Sequence, residues 1–404
     1  MTPSLSPSVL VIQTGARHGY ALPSAFAEAG MLERLETDLC AGPLLSRLAG
    51  LPGPLGRLGA RRVPDCVLER TRMDAAETLR AEAAMRLARS AVQRRDALAW
   101  SLERRGRRMA GRGLGGATHL FSTHGEGGAL LRRSRGAGVP VLTDVVVSLS
   151  ARAVRRAEWR AHLDWGPEPA PSGPADVERD LLEMTDVFVC PSRAVASDLA
   201  RNWGVPRAAL RVIPYAPAAG WTEARADPVR GRVLFAGAAV RRKGIHVLAE
   251  AARILAARAP EIEVMVAGPV HPMVRDHPGA RALRFLGRLP RSAMREAFAG
   301  ADVFALPTLA EGSATVVYEA MALGLPVVTT AAAGSVIEDG IDGVIVPERD
   351  AEALADALER LVEDRRLRDA MGAAARETMR RHSPERRASA LRALVRATPT
   401  GVSP

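Results

Sequence analysis

Three side chains in the second half of this 404-residue chain have the chemistry and placement to hold a phosphorylated ligand. Two are Glu311 and Glu319, in Leu306-Pro307-Thr308-Leu309-Ala310-Glu311-Gly312-Ser313-Ala314-Thr315-Val316-Val317-Tyr318-Glu319. An apolar strand ends at Pro307, and a glycine-bearing loop opens directly into a helix. The first N–H groups of a helix lack intrahelical partners and the macrodipole adds positive charge there, so a diphosphate is stabilised. Glu311 falls in the loop. Glu319 falls about one turn into the helix, where its two acceptor oxygens can grip a vicinal diol such as ribose. Its neighbours Val316, Val317, Ala320 and Met321 are core-like, and an idle carboxylate among them would be costly. The competing reading is a solvated helix residue.

The third side chain is Lys243. Of 56 basic residues it is the sole lysine. An ammonium is a compact point charge and a guanidinium a planar fork, so they are not equivalent at a phosphate. Lys243 lies in Phe235-Ala236-Gly237-Ala238-Ala239-Val240-Arg241-Arg242-Lys243-Gly244, again a strand, a glycine turn and a helix start. Cations at a helix start oppose the macrodipole; a bound anion resolves the conflict. Chance survival of one lysine on a charged surface is the alternative.

The surrounding elements place these loops. In the second half, short apolar strands (232–236, 263–267, 283–286, 303–306, 327–330, 344–346) alternate with helices (245–259, 291–299, 315–323, 351–363). This pattern predicts a parallel sheet covered on both faces, a doubly wound Rossmann-like domain. The first half reads as a looser version, with strands at 9–13, 119–122, 139–144, 187–190 and 210–213. Helices are expected at 21–29, 73–109, 126–135, 154–163 and 193–203, with proline-rich loop at 166–174. The texture changes over Pro214–Pro228, rich in Pro, Ala and Gly, where a linker is expected. The division is 1–218 for an acceptor-binding domain, 219–380 for a nucleotide-sugar-binding domain, and 381–404 for a tail packing back on the first. The fold class is α/β, with two Rossmann-like domains facing across a cleft at the C-terminal ends of their strands.

Composition narrows the partners. No apolar run approaches the roughly 20 residues of a membrane span, and the N-terminus lacks signal-peptide features. Cys40, Cys66 and Cys190 share no metal-ligand spacing, so a reduced cytoplasmic compartment is expected. The net charge of +11 fits nucleic acid, an anionic membrane or an anionic substrate, or simply arginine-rich coding. Aromatic interleaving and nucleic-acid motifs are missing, so no nucleic acid is expected. Basic segments Arg104–Arg112, Arg132–Arg135 and Arg152–Arg160 suit peripheral contact with anionic lipid at the cytoplasmic face.

Residues 232–379 resemble the family 4 glycosyltransferases of the GT-B fold. The resemblance rests on Glu311 to Glu319, Lys243-Gly244, Ala267-Gly268, Phe285-Leu286-Gly287 and Glu319-Ala320-Met321-Ala322-Leu323-Gly324-Leu325-Pro326-Val327-Val328. Gly334-Ser335, and Asp339-Gly340 through Gly343-Val344-Ile345-Val346-Pro347, extend it. Asp186–Ser192 and Val212-Ile213-Pro214-Tyr215 are similar as well, and before residue 175 the match is faint. The resemblance implies a GT-B fold and a retaining transfer of sugar from a nucleotide-diphosphate sugar to a glycan, lipid-linked or small-molecule acceptor. It implies no cofactor and no metal, and the lack of an Asp-x-Asp triplet fits. Glu319 would take the ribose hydroxyls and Lys243 the diphosphate. Glu311 would hold donor-sugar hydroxyls, and the backbone of Gly312, Ser313, Ala314 and Thr315 would approach the donor, with Gly237 beside it.

The departures from the family are specific. Ala238 stands where the family commonly has Arg, and Arg242 is the candidate substitute cation. Ser313-Ala314 replace a Phe-Gly pair, so the Ala314 Cβ is expected to crowd the donor. Thr143-Asp144-Val145 replace a frequent His, leaving Asp144 and His124 as polar candidates on the acceptor side; His124 has a helix-capping role as its alternative. Thr14-Gly15-Ala16-Arg17-His18-Gly19 resembles the loop facing donor and acceptor, with Gly15 free to approach a phosphate and Arg17 and His18 an anionic acceptor. An ordinary strand–helix turn is the alternative. Rival functions are a sugar-nucleotide epimerase or phosphorylase on a related fold, and a basic donor-binding pseudoenzyme.

Overall fold

The computed structural model describes residues 6–50, 54–167, 175–218, 220–221 and 226–401. The first half builds a parallel sheet from β1 (Val9–Ile12), β2 (Leu32–Thr37), β3 (Thr71–Met73), β4 (His119–Thr123), β5 (Val141–Asp144), β6 (Val187–Cys190) and β7 (Leu210–Val212). Its order is β3-β2-β1-β4-β5-β6-β7. The second half builds another from β8 (Arg232–Ala236), β9 (Glu263–Ala267), β10 (Leu283–Gly287), β11 (Val303–Leu306), β12 (Val327–Thr330) and β13 (Val344–Val346), in the order β10-β9-β8-β11-β12-β13. Every residue of β1, β4, β5, β11 and β12 is buried, while the edge strands β3 and β7 are not. Helices on both faces of a parallel sheet produce that gradient.

The strand orders decide where a ligand can sit. In each sheet the connections reverse direction beside the first strand, between β1 and β4 and between β8 and β11. Loops leaving such a pair diverge to opposite faces and open a crevice. In the second sheet these are the Gly237–Lys243 and Pro307–Ala314 loops. In the first they are the Thr14–Tyr20 and His124–Gly128 loops.

Two strands and a helix break differ from the sequence expectation. β2 and β3 carry Glu33, Arg34, Glu36 and Arg72, which hide strand character. Glu36 is fully buried and pairs with Arg34 at 2.8 Å and with Arg112 from a distant helix. The expected helix over 73–109 is two, Ala75–Leu87 and Ala91–Arg112. Ser90 breaks it with a capping box, accepting from the Gln93 N–H while the Gln93 side chain reaches back. The proline-rich loop and the linker fall partly on residues 168–174, 219 and 222–225, outside the described residues.

Much of the first domain's positive charge is spent internally. Arg112 also pairs with Asp74 at 3.0 Å, Arg108 with Asp74 at 3.7 Å and Arg104 with Glu77 at 3.2 Å. Asp74 and Glu77 are buried, so removing these arginines would strand carboxylates in low dielectric. No described helix is long and apolar enough to cross a membrane.

The C-terminal helix Pro384–Ala397 returns to the first domain. Leu391 and Val395 enter the apolar cluster of Val9, Phe26 and Leu35, each contributing about 1.5–3 kcal/mol by burial. Arg392 donates to the Ala25 carbonyl at 3.1 Å. The chain therefore crosses between its domains twice.

Candidate active site

The site starts with backbone that only glycine accepts. Gly244 has φ +73°, and a Cβ there would lie 1.9 Å from the Pro307 carbonyl oxygen. This contact presses the loop after β8 against the loop after β11. Gly237 has φ +140°, and a Cβ on it would meet Lys243 Nζ at 3.0 Å. Folded over Gly237, Lys243 reaches Glu311 Oε1 at 3.2 Å, and Arg242 Nη1 reaches the same oxygen at 2.9 Å. Arg242 also donates to the Ala310 carbonyl and its own carbonyl accepts from the Leu309 N–H at 2.8 Å. Arg241 points elsewhere, onto the carbonyls of His162, Gly166 and Pro167 at 2.7–3.0 Å. Lys243, Arg242, Glu311 and Gly237 thus converge.

Glu319 faces a neighbouring space. With Ser313, Thr315 and Arg291 it lines a cavity of about 760 Å³ closed on the opposite side by Arg17, His18, Tyr215 and Arg387. Lys243 and Glu311 do not line it. Between the two groups lies Gly312, whose Cβ would fall 2.0 Å from the Val146 carbonyl oxygen of the first domain. Ser192, also of the first domain, donates to the Gly312 carbonyl at 2.6 Å. Gly312 is thus where the domains touch.

The cleft tunes its ionisable groups. Burial pushes the Glu319 carboxyl up to about 7, with Arg291 and Arg295 opposing the rise. Burial, aided by Arg387 and Arg17, holds the His18 imidazole down at about 4. His18 has φ +47° and packs on Tyr215 with ring centroids 4.3 Å apart. Arg387 covers the other ring, its guanidinium carbon 4.6 Å from the Tyr215 centroid.

Other expected site residues are placed differently. Ala314 is buried in the second domain's core and its N–H donates to the Ala333 carbonyl at 3.0 Å. Its side chain thus lies among core residues and its N–H is already engaged. It caps no N–H with a side chain, so the start of helix Thr315–Ala322 is left uncapped. The Ser313 hydroxyl is bonded to the Tyr318 hydroxyl at 2.9 Å. Gly15 has φ +74°, donates to Asp38 at 2.9 Å, and has open space on its Cβ side. Asp144 is buried and pairs with Arg387 at 3.3 Å; it floors a small recess beside the cleft with Gln13, Arg17 and His18. Burial raises its carboxyl above the usual range while Arg387 and Arg17 pull it back. His124 does not line the cavity or the recess. It sits at φ +50°, donates its N–H to the Asp144 carbonyl at 2.8 Å, and its Nδ1 is buried without a partner. Burial, with Arg17 and Arg152, lowers its imidazole to about 4.

Three contributors escape the sequence reading, Arg387, Arg291 and Glu126, while Tyr215 enters it only within the family resemblance and without a site role. Glu126 accepts the Thr14 N–H at 2.7 Å and ties the two loops of the first crevice together. Arg387 carries no local motif, because its place depends on the return of the last helix.

With this geometry in hand, comparison with known proteins is decisive for one region. Residues 230–364 match the family described as glycosyl transferases group 1. They form a group 1 glycosyltransferase domain. The group 1 domain holds both convergent groups, from Gly237 to Glu319. The D-inositol 3-phosphate glycosyltransferase of Corynebacterium urealyticum is 29% identical over 267 residues, covering 59% of this chain and 63% of that protein. The phosphatidyl-myo-inositol mannosyltransferase of Mycolicibacterium smegmatis is 35% identical over 204 residues, covering 47% and 53%. The chain therefore spans between half and two thirds of the length of these curated relatives. Anabaena HepE, solved in complex with UDP, superposes with a TM-score of 0.61 at 15% identity, covering 97% of this chain and 100% of that one. The two-sheet architecture is the GT-B fold.

Proposed function

We propose that the chain is a retaining glycosyltransferase that moves a sugar from a nucleotide-diphosphate sugar to a glycan, lipid-linked or small-molecule acceptor. The observation that carries the reading is the meeting of Lys243 and Arg242 on Glu311 Oε1, at 3.2 and 2.9 Å, four residues ahead of an uncapped helix start at Thr315. One carboxylate oxygen stands there between two cations. A diphosphate oxygen in the same place would take over the pairing and release Glu311 to hydroxyls of the donor sugar. Glu319, one turn into the same helix, would receive the ribose hydroxyls. The UDP complex of HepE and the names of the two relatives support a nucleotide-sugar donor.

In the reaction the bond from the anomeric carbon to the diphosphate oxygen breaks, and the acceptor hydroxyl adds on the same face. Its proton passes to a phosphate oxygen of the leaving group. Lys243, Arg242 and the N–H end of helix Thr315–Ala322, which has no side-chain cap, neutralise the charge that develops there, which is electrostatic catalysis by a preformed site. Arg17 and His18 face the acceptor from across the cleft. For a lipid-linked acceptor the reading includes peripheral contact with an anionic membrane face on the cytoplasmic side. No resident metal or cofactor enters the scheme.

A thermal-shift panel of nucleoside diphosphates and nucleotide sugars, followed by anomeric NMR of the product, tests the reading. Stabilisation by one nucleotide series and a product with the donor's anomeric configuration are expected. Isomerised donor without transfer would mean an epimerase, and glycoside cleavage that requires phosphate a phosphorylase. Binding without turnover of any acceptor would mean a pseudoenzyme.

A further inference from the structure

Away from the donor cleft, the two domains meet again through three side chains with metal-ligand chemistry. Glu158 and His162 lie one turn apart at the end of helix Ala151–Ala161 in the first domain; His246 is the second residue of helix Ile245–Arg258 in the second. Their donor atoms all fall within 4.8 Å of one another. We propose that Glu158, His162 and His246 form a divalent-cation site, of the donor set that suits zinc, which clasps the two domains together.

Unsatisfied atoms point to a ligand. Glu158 and His246 are only 3% and 8% exposed. Glu158 Oε2 and both ring nitrogens of His246 are buried without a hydrogen-bond partner. Such atoms destabilise the fold when nothing satisfies them. His246 Nε2 stands 3.2 Å from Glu158 Oε2, yet in a geometry that makes no hydrogen bond. Ligands bound to a tetrahedral zinc at about 2.0–2.2 Å sit roughly 3.3 Å from each other. That pair is therefore already spaced as one edge of a metal tetrahedron. His162 Nε2 is 3.9 Å from the same oxygen; its side chain is 37% exposed and its ring packs on that of His246 with centroids 4.3 Å apart. A fourth position is left for water.

The outer shell fits as well. Arg349 holds the other carboxylate oxygen, Oε1, through Nε at 2.8 Å and Nη2 at 2.6 Å. Fixing one oxygen aims the other at the metal, the service that neighbouring groups commonly perform for metal ligands. Arg349 and Arg241 also oppose a dication by charge, which weakens the affinity. None of the three ligands lines the donor cavity, so the metal has a structural place. His246 follows Lys243 by three residues, and a clasp on it would hold the phosphate-binding loop in register with the first domain.

The test uses the full chain stripped by a chelator, then titrated with zinc against a chromogenic competitor, with cobalt as a spectroscopic probe. One zinc per chain is expected, with a tetrahedral cobalt spectrum and a raised melting temperature. His162→Ala and His246→Gln should each bind at least tenfold more weakly and lose both signals. His162 is half-exposed, so its variant keeps the test valid if His246→Gln fails to fold. Absence of zinc uptake by the wild type, or uptake of equal strength by a folded His162→Ala, would overturn the proposal.

Discussion

Replacing Glu319 by Gln should stabilise the ligand-free protein and weaken nucleotide binding together. Burial lifts this carboxyl from 4.5 to about 7. A carboxyl raised on folding leaves full stability below its ordinary range, and the stability is lost as pH rises through about 7. At pH 8 the loss is at most about 3 kcal/mol, and solvent at the cleft cuts it to about half. Gln at this position carries no charge to desolvate, so E319Q should melt several degrees higher than wild type at pH 8 and nearly equally at pH 4, below the unfolded carboxyl's own titration. Binding has the opposite sign. In the proposed function the ionised carboxylate accepts both ribose hydroxyls, and it is about one-tenth populated at pH 6 and nine-tenths at pH 8. Nucleoside diphosphate affinity in the wild type should therefore rise up to about tenfold between pH 6 and 8 from this group. The ligand's own terminal phosphate titrates near pH 6 and acts on both proteins alike. Calorimetry of wild type and E319Q across that range, with a 2′-deoxynucleotide as control, isolates the carboxylate. An E319Q protein with unchanged melting at pH 8 and the wild-type pH slope would mean that the Glu319 carboxylate neither destabilises the free fold nor binds the ribose.

Other outcomes follow from the same contacts. Lys243→Ala should lower turnover on the order of 100-fold or more while melting near wild type, because Arg242 still pairs with Glu311 at 2.9 Å; steady-state kinetics and a thermal melt check both halves. Gly244→Ala places a Cβ 1.9 Å from the Pro307 oxygen at φ +73°, and a loss of at least ~3 kcal/mol is expected in chemical denaturation. Gly312→Ala meets the Val146 oxygen at 2.0 Å. It should part the domains, seen as a larger radius of gyration and faster proteolysis, with each domain still folded.

The second domain was legible because its strands are nearly pure apolar runs. Val233-Leu234-Phe235 and Val303-Phe304-Ala305-Leu306 are wholly buried, and glycines mark the turns that follow them. The convergence of Lys243 and Glu311 was legible too, since the loops after β8 and β11 leave adjacent strands. The first domain was harder, for a physical reason. Its second strand buries Glu36, which is tolerable only because Arg112 arrives from far along the chain, and no local pattern announces that. The Ser90–Gln93 capping box was a local signal, and it marks the helix break. Contacts between domains are the least legible of all. Val146 against Gly312, Arg387 above Tyr215 and His246 beside Glu158 each depend on how two sheets face each other.

We place the diphosphate between the lone ammonium, Lys243, and the start of helix Thr315–Ala322. Phosphorus NMR of a nucleoside diphosphate titrated with the protein addresses it directly, because each phosphorus reports its own surroundings. With wild type a shifted or broadened β-phosphorus signal is expected, largely restored to the free position with Lys243→Ala. Equal perturbation of the β-phosphorus by both proteins would show that Lys243 does not hold the diphosphate.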